Sequence, residues 1–287
     1  MSKIKIGFIG QGYVGKNYAD DFEARGYAVT RYAKEKPYNK NKEAIKDCDV
    51  VFIAVPTPTT PDGFDDSIIR EALSLVGKGK IAVIKSTIVP GTTKSMQNKN
   101  PNIFVLHSPE FLTESTALFD AKNPSLNIIG IPIQNKILQE KARVVLSILP
   151  KSFYAKICLA EEAEIIKYVH NNLGYVKLIF INMAYDLAVK LGADWKVIKE
   201  ALVSDPMVAT KLNYHLDPIH KNGRGAGGHC LIKDFETFAR LYKKTFPNDV
   251  SGISVLNGNV QKNIELLCSS GKDIEILKSV YNINQDK

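Results

Sequence analysis

The sequence has no long hydrophobic run: none of its apolar stretches approaches the ~20 residues that a membrane span needs. It also has no dense block of lysine and arginine, because the 38 basic and 30 acidic residues are spread along the 287 positions. A net charge of +8 in this form is typical of a solvated surface and does not indicate nucleic-acid binding. The first residues run straight into a strand-like pattern, without the apolar core and small-residue cleavage site of a signal peptide. We therefore expect neither a membrane nor a nucleic-acid partner.

Cysteine is scarce, with four residues at widely separated positions: Cys48, Cys158, Cys230 and Cys268. They form no Cys-x-x-Cys pair, which predicts a reduced, cytoplasmic protein. The five histidines show no ligand spacing, so no metal site is expected. A content of 45% hydrophobic and 24% charged residues supplies a sizeable core and excludes global disorder. The length allows one large domain or two moderate ones.

A glycine motif follows the first predicted strand. Residues 4–9 have a strand pattern, Gly10–Gly15 reads G-x-G-x-x-G, and a helical pattern continues to Gly26. In such a turn the first glycine permits the tight bend, the second lets the backbone approach a pyrophosphate, and the third lets helix and strand pack closely. The pyrophosphate then lies at the helix N-terminus, where free N–H groups and the dipole favour an anion. The motif predicts dinucleotide binding; the alternative is a fortuitous glycine turn.

The end of the second predicted strand, residues 27–32, departs from the usual NAD pattern. Ala33 stands where an Asp or Glu usually binds the ribose hydroxyls. The neighbouring cations Arg31, Lys34 and Lys36 fit the 2′-phosphate of NADP, or are only solvated surface charge. We expect NAD as the cofactor, with NADP and impaired binding as the alternatives.

Strands alternate with helices through the first half of the chain. Further strand patterns occupy residues 49–55, 80–85, 102–106 and 127–131, with helical patterns around 43–47, 67–77 and 135–148. This alternation predicts an α/β fold with a Rossmann-type, doubly wound parallel sheet. Ligands bind beyond the carboxyl ends of the strands in such sheets, and polar, turn-rich segments follow several strands here. These segments are residues 56–58, 86–93 and 107–112.

Six segments occur in the order in which one enzyme family has them. They are Gly10–Gly15; Val55–Pro58 with Asp62, Gly63 and Asp66; Ser86–Thr87 with Pro90–Thr93; Ser108–Glu114; Glu164–Lys167 with Asn171; and Gly225–Asp234. On these motifs the chain resembles the UDP-glucose/GDP-mannose dehydrogenase family over about residues 4–265. The resemblance implies oxidation of the C6 alcohol of a nucleotide sugar, such as UDP-glucose, to a carboxylate in two hydride transfers that reduce two NAD+.

The resemblance implies a catalytic role for each matching residue. Cys230 matches the nucleophile, whose thiolate forms a thiohemiacetal with the aldehyde; hydride loss then gives a thioester that water cleaves. Lys167 and Asn171 match the pair that stabilises the developing oxyanion, and Asp234 matches an acid that helps to place water. The remaining catalytic matches are Glu110, for thioester hydrolysis, and Thr87, near that water.

The same resemblance implies a cofactor set and a substrate set. The cofactor set is Gly10, Gly12, Tyr13, Val14, Gly15, Val55, Pro56, Thr57, Ser86 and Thr87. The substrate set is Glu114, Lys167, Asn171, Lys211 and Gly227. Besides Ala33, two positions depart from the family pattern: Ser108 replaces a common Asn, and Met207 stands where some members have an arginine that reaches the neighbouring subunit's substrate. Lys211 keeps a cation near that position.

The residue types fit this chemistry, but several of them also have a simpler, non-catalytic interpretation. The glycines before Cys230 predict a flexible loop that exposes the thiol, and His229 is expected to belong to this loop. We expect the other three cysteines to be buried and inert. Lys167 and Asn171 are four apart on a predicted helix over 161–190, where they present a cation and an amide donor on one face; a solvated pair is the alternative. Glu110 and Glu114 could equally cap a turn.

Three regions are expected: a dinucleotide-binding domain at 1–155, an all-helical central domain at 156–270 and a tail at 271–287. Only 53 residues follow Asp234, so we expect no second α/β domain of the kind that grips the nucleotide in the family. A partner chain then supplies that grip, or the enzyme works without it. In the family the long central helix is the dimerisation element, so the resemblance implies a homodimer through this helix. The competing hypotheses are a truncated, non-catalytic dinucleotide-binding relative and a two-electron dehydrogenase of a smaller hydroxy acid, which needs no nucleophile such as Cys230.

Overall fold

The structure is a computed structural model that describes residues 4–206, 208 and 213–281. The chain divides into two compact units. The first comprises Met1–Pro58 and Asp65–Lys167, and the second comprises Thr59–Phe64 and Tyr168–Lys287. The predicted bounds at 155 and 270 stay predictions.

The first unit is built on a seven-stranded sheet. Its strands are β1 (Lys5–Ile9), β2 (Ala28–Tyr32), β3 (Val50–Ile53), β6 (Ile81–Ile84), β7 (Phe104–His107), β8 (Leu126–Ile131) and β9 (Tyr154–Leu159). The strand order is β2-β1-β3-β6-β7-β8-β9, which confirms the Rossmann-type fold. The sequence analysis predicts the first six of these strands and misses β9, whose first three residues are exposed at the sheet edge.

The sheet is mostly parallel, with one reversal that the sequence analysis did not predict. β7 and β8 pair antiparallel, with His107 opposite Gly130, while β8 and β9 pair parallel to each other. The connection from β7 to β8 contains a 3₁₀ turn and the short helix α4 (Ala117–Lys122). β8 therefore begins at the same end of the sheet at which β7 finishes, because an antiparallel neighbour needs no crossover back to the other end.

Helices and aromatic side chains cover this sheet. The other α-helices of the first unit are α1 (Tyr13–Ala24), α2 (Ser67–Leu73), α3 (Thr92–Lys99) and α5 (Lys136–Ile148). The segment predicted as a helix at 43–47 lies in a 3₁₀ helix over Tyr38–Asp47. Phe8, Phe22 and Phe52 form a ring cluster, with centroids 5.0 to 5.6 Å apart, at the centre of a buried apolar core.

The second unit is mainly helical and also contains the hairpin β4 (Thr59–Thr60) and β5 (Gly63–Phe64). Helix α6 (Ala160–Lys190) enters it from the first unit and is followed by α7 (Trp195–Ser204), α8 (His229–Thr245), α9 (Val250–Ser270) and α10 (Ile274–Tyr281). Tyr175 and Phe235 stack with ring centroids 4.0 Å apart in its core. None of the helices within residues 4–206 and 213–281 combines the length and apolar character that a membrane crossing needs.

Candidate active site

The glycine turn after β1 has the geometry of a phosphate cradle. Gly10 has φ +90°, and a Cβ there would lie 2.1 Å from the Ala54 carbonyl oxygen. A Cβ at Gly15 would lie 1.9 Å from the Gly10 oxygen, so both positions need glycine for packing alone. A Cβ at Gly12, in contrast, meets no described atom within 4 Å. Gly12 is the N-cap of α1 and contributes no side-chain hydrogen bond to the helix end. The open helix end fits the pyrophosphate of a dinucleotide.

The cations at the end of β2 are engaged with protein carboxylates. Arg31 is buried, and its guanidinium lies 2.7 Å from Asp20 and 2.6 Å from Glu23. Lys34 pairs with Glu71 at 2.8 Å on the surface. Arg31 therefore already has two anionic partners, which reduces its capacity to bind a cofactor phosphate.

Side-chain hydrogen bonds join two of the predicted cofactor segments at the carboxyl edge of the sheet. The Val55 N–H donates to Ser86 Oγ at 3.0 Å, and Ser86 Oγ donates to the Val55 oxygen at 2.7 Å. Thr57 Oγ1 donates to the Thr87 oxygen at 2.9 Å. Segments 55–57 and 86–87 thus form one ledge beyond β3 and β6, where ligands bind in open parallel sheets.

Glu110 and Lys167 form a buried ion pair within the first unit. Lys167 Nζ donates to Glu110 Oε1 at 2.9 Å, and the Leu112 N–H donates to Glu110 Oε2 at 2.7 Å. Burial by itself raises the pKa of Glu110, but Lys167, the Leu112 N–H and Lys85 together lower it below its ordinary value. Glu110 is therefore ionised at neutral pH. Glu114 lies at the exposed start of a 3₁₀ turn in the same connection.

Asn171 and Asp234 form a second buried pair, within the second unit. Asn171 Nδ2 donates to Asp234 Oδ2 at 2.6 Å, and Lys233 Nζ lies 2.5 Å from Asp234 Oδ1. Asp234 is only 1% exposed. Its carboxylate is thus held between an amide and an ammonium group, an arrangement that fixes its orientation.

Cys230 is exposed and lies in the first turn of α8. The interpretation of His229 as a loop residue was wrong, because Gly228, at φ +81°, caps α8 and the helix begins at His229. A helix N-terminus favours the thiolate over the thiol. Cys48 and Cys158 are buried as expected, and burial raises the pKa of Cys158 to about 11. The expectation of burial was wrong for Cys268, which is exposed.

The loop before Cys230 makes hydrogen bonds to α9 and to the turn that follows it. The Ala226 N–H donates to Asn263 Oδ1 at 2.7 Å, and Asn263 Nδ2 donates back to the Ala226 oxygen at 3.0 Å. The Gly228 N–H donates to Asp273 Oδ2 at 2.7 Å. A Cβ at Gly227 would lie 2.1 Å from that carboxylate oxygen. Gly227 therefore makes room for Asp273.

Asn263 and Asp273 are residues that the sequence analysis missed. No local pattern indicates them, because they are 37 and 45 positions from their partners in the chain. A different long-range contact joins two of the six segments on which the family resemblance rests. Glu164 accepts from the N–H groups of Gly91 and Thr93, at 2.6 and 2.9 Å, and so holds the start of α3.

The predicted catalytic residues fall into two sets. The first unit contains Thr87, Glu110 and Lys167, and the second contains Asn171, Cys230 and Asp234. Lys167 and Asn171 are one turn apart on α6, as predicted. Lys211 and Met207 lie outside the described residues. Within residues 4–206 and 213–281, no group of three or more His, Cys, Asp or Glu side chains is arranged to hold a metal ion. The roles of these residues stay predictions.

Comparison with known proteins adds independent findings. The family model described as "UDP-glucose/GDP-mannose dehydrogenase family, NAD binding domain" matches residues 34–147, and that of the family's central domain matches residues 161–255. The chain belongs to this family. It is therefore a member of a nucleotide-sugar dehydrogenase family and contains its NAD-binding domain, which supports a nicotinamide dinucleotide as the cofactor.

Individual relatives agree with this assignment. The putative UDP-glucose 6-dehydrogenase YtcA of Bacillus subtilis is 30% identical over 71% of this chain and 49% of its own length. The UDP-glucose 6-dehydrogenase of Rickettsia bellii is 29% identical over 85% of this chain and 58% of its own. The chain thus spans about half the length of these curated relatives. A UDP-glucose dehydrogenase structure from Pyrobaculum islandicum has the same fold, with a TM-score of 0.75 at 24% identity over 92% of this chain and 68% of its own.

Proposed function

We propose that the protein takes part in the NAD-dependent oxidation of the C6 alcohol of a nucleotide sugar, of the UDP-glucose type, to a carboxylate. One observation carries the proposal: Cys230 is exposed in the first turn of α8, four residues before the buried Asp234 that binds Asn171. A plain two-electron dehydrogenase needs no nucleophile at such a position.

The proposed reaction has four chemical events. The alcohol loses a hydride and a proton to give an aldehyde. The Cys230 thiolate adds to the aldehyde carbon, and the aldehyde oxygen takes up a proton, to give a thiohemiacetal. Loss of a second hydride and a proton gives a thioester, and water cleaves the C–S bond to give the carboxylate, two protons and the regenerated thiolate. The bound nicotinamide supplies the hydride acceptor in both oxidations. In sum, one alcohol, two NAD+ and one water give one carboxylate, two NADH and three protons.

The proposed roles follow from the charges and donors on the site residues. Lys167 and Asn171 present an ammonium and an amide N–H on successive turns of α6, which suits stabilisation of an oxyanion. Glu110 is ionised because Lys167 lies 2.9 Å away, so its carboxylate can accept a proton from the hydrolytic water. Asp234 orients Asn171 and the Lys233 ammonium, and Thr87 lies on the ledge beyond β6.

We infer that NAD rather than NADP is the cofactor. Arg31, a buried cation two residues before Ala33, lies within 2.7 Å of both Asp20 and Glu23. A phosphate placed there would have to compete with two carboxylates for one guanidinium. Ala33 adds no acid for the ribose, so we expect modest affinity for NAD and weaker affinity for NADP.

We also propose that α6 forms a homodimer. Val169, Leu173, Val176, Phe180, Met183 and Leu187 recur at alternating steps of four and three residues and are 40% to 67% exposed. This is the 3.5-residue apolar repeat by which two helices pack together. We expect a dimer mass in light scattering, and a monomer mass when Leu173 and Phe180 are both replaced by glutamate. A monomer in the unmodified chain would contradict the proposal.

The experiment that tests the enzymatic proposal uses a panel of nucleotide sugars with NAD+ or NADP+. Absorbance gives the reduced cofactor formed per sugar oxidised. We expect two NADH per sugar, no turnover in Cys230→Ala, and unchanged turnover in the control Cys268→Ala, which alters the other exposed cysteine. The assay is run on the chain alone and together with any chain that co-purifies with it, because a partner would supply the grip on the nucleotide.

Two other outcomes would contradict the proposal. One reduced cofactor per sugar, independent of Cys230, would favour the two-electron dehydrogenase. Cofactor binding without turnover on any sugar would favour the non-catalytic relative.

A further inference from the structure

We propose that Lys85 is a positioning residue for Glu110: it anchors the turn that carries this carboxylate and adds a second positive charge to its surroundings. The inference rests on the proposed function, in which Glu110 activates the hydrolytic water. Lys85 directly follows β6, whereas Glu110 belongs to the turn after the neighbouring strand β7.

Lys85 reaches this turn through direct contacts. Its Nζ donates to the Ser108 carbonyl oxygen at 2.9 Å and approaches Ser108 Oγ at 3.4 Å. The same Nζ lies 4.2 Å from the centroid of the Tyr18 ring, a cation–π contact from α1. Ser108 is two residues before Glu110, so these contacts fix the backbone on which Glu110 stands.

A lysine in this place is costly for the fold. Lys85 is 1% exposed, and within the described residues it forms no ion pair. Burying an ammonium group without a carboxylate partner disfavours its charged form. Burial therefore lowers the pKa of Lys85 to about 7, although Glu110 raises it again; Lys167 adds to the lowering. Packing alone would be satisfied by an apolar side chain of similar length, so the charge calls for another explanation.

The proposed chemistry explains why one cation beside Glu110 is insufficient. Lys167 forms the direct ion pair with Glu110, yet the same ammonium is proposed to bind the developing oxyanion. When Lys167 serves the oxyanion, its bond to Glu110 weakens and the carboxylate would gain a proton more readily. Lys85 is held by Ser108 and Tyr18, away from that exchange. Below about pH 7, where Lys85 carries a proton, its charge therefore acts on Glu110 whether or not Lys167 is engaged with the oxyanion.

The test measures Glu110 directly, without relying on turnover. Carboxyl groups are labelled with ¹³C on glutamate and titrated by NMR, and the Glu110 signal is assigned by its absence in Glu110→Gln. In Lys85→Met we expect the midpoint of Glu110 to rise by roughly half a pH unit or more, because a nearby cation is lost. Lys85→Gln keeps a donor for Ser108 without the charge, so the same rise is expected there.

The matched control is Lys80→Met, which makes the same change at the other end of the β6 segment, where Lys80 pairs with Asp49. We expect no shift of Glu110 in this variant. An unchanged Glu110 midpoint in a folded Lys85→Met or Lys85→Gln protein would overturn the proposal.

A kinetic measurement separates this inference from the proposed function. If the protein oxidises a nucleotide sugar, the acid limb of kcat against pH should move upward in Lys85→Met while KM for the sugar stays the same. An equal loss of kcat at every pH would indicate a purely structural role and would overturn the proposal. If no nucleotide sugar is oxidised, the proposed function fails, and the NMR titration still decides the electrostatic role of Lys85.

Discussion

The chain has two glycine-rich turns that each lead into a helix, and they use glycine for opposite purposes. At Gly12, before α1, the space that a Cβ would enter contains no described atom within 4 Å. At Gly227, before α8, the same space contains the carboxylate of Asp273 at 2.1 Å. The first turn leaves room for a ligand, and the second leaves room for the protein itself. The reactive group at the second turn is therefore expected to be a side chain, Cys230, on a helix end that the protein holds in place.

The largest expected effect tests whether Cys230 is that reactive group. Cys230→Ala should lower the formation of NADH from a nucleotide sugar by about 10³-fold or more, because covalent catalysis is lost. The measurement is the initial rate of cofactor reduction. Cys268→Ala should keep the rate of the unmodified chain. An active Cys230→Ala protein would show that Cys230 is not the reactive group of the second turn.

A second prediction contrasts one lysine from each unit. Lys233 pairs with Asp234, whereas Lys85 has no carboxylate partner among the described residues, and burial lowers the pKa of Lys85 to about 7 from an ordinary value of 10.5. Between these two values the unfolded chain binds a proton that the folded chain does not, so the free energy of unfolding rises with pH. Below about pH 7 this contribution is constant.

Chemical denaturation at several pH values checks the Lys85 prediction. The stability of the unmodified chain relative to Lys85→Met should increase from pH 7 to pH 9.5, by up to about 1.4 kcal/mol per pH unit. A constant difference across this range would show that Lys85 keeps an ordinary pKa in the folded protein.

The third prediction makes the same glycine-to-alanine substitution in each of the two turns. Gly12→Ala should weaken NAD binding by about tenfold or more and leave the melting temperature nearly unchanged, because its Cβ enters the cradle and meets no described atom. Gly227→Ala should instead lower the free energy of unfolding by about 1 to 3 kcal/mol, since its Cβ clashes with Asp273. Dinucleotide titration and thermal unfolding of both variants measure the two effects. Equal effects of the two variants on both measurements would refute the distinction between the turns.

The smallest expected effect concerns Asp273. Its carboxylate lies at the N-terminus of α8 and opposes the negative charge of a Cys230 thiolate, so Asp273→Asn should favour the thiolate. We expect alkylation of Cys230 at neutral pH to become faster, by about two- to fivefold. The measurement uses iodoacetamide and mass spectrometry in a Cys268→Ser background, so that only one exposed cysteine reports. A slower reaction would mean that Asp273 acts mainly by holding the loop.

Much of the sheet was predictable because its signals are local. The strand at residues 4–9 is followed directly by a glycine turn and a helix. The buried apolar runs that end before Ala54 and Lys85 are long enough to be predicted as strands. Helix α3 was missed because only Thr93 and Met96 of its eight residues are buried. Its start depends on Glu164, about 70 positions away, which no local pattern reveals.

The sequence by itself determined the order of strand, glycine turn and helix, the spacing that puts Lys167 and Asn171 on one helix, and the presence of a cysteine beside a Lys-Asp pair. These features depend on residue type and on periods of two and 3.6 residues, which are written into adjacent positions. Only the tertiary structure decided that Glu110 meets Lys167, that Asn171 meets Asp234, and that Asp273 fixes the turn before Cys230. Such contacts join positions 45 to 63 residues apart, because packing of the folded chain selects them and local preference does not.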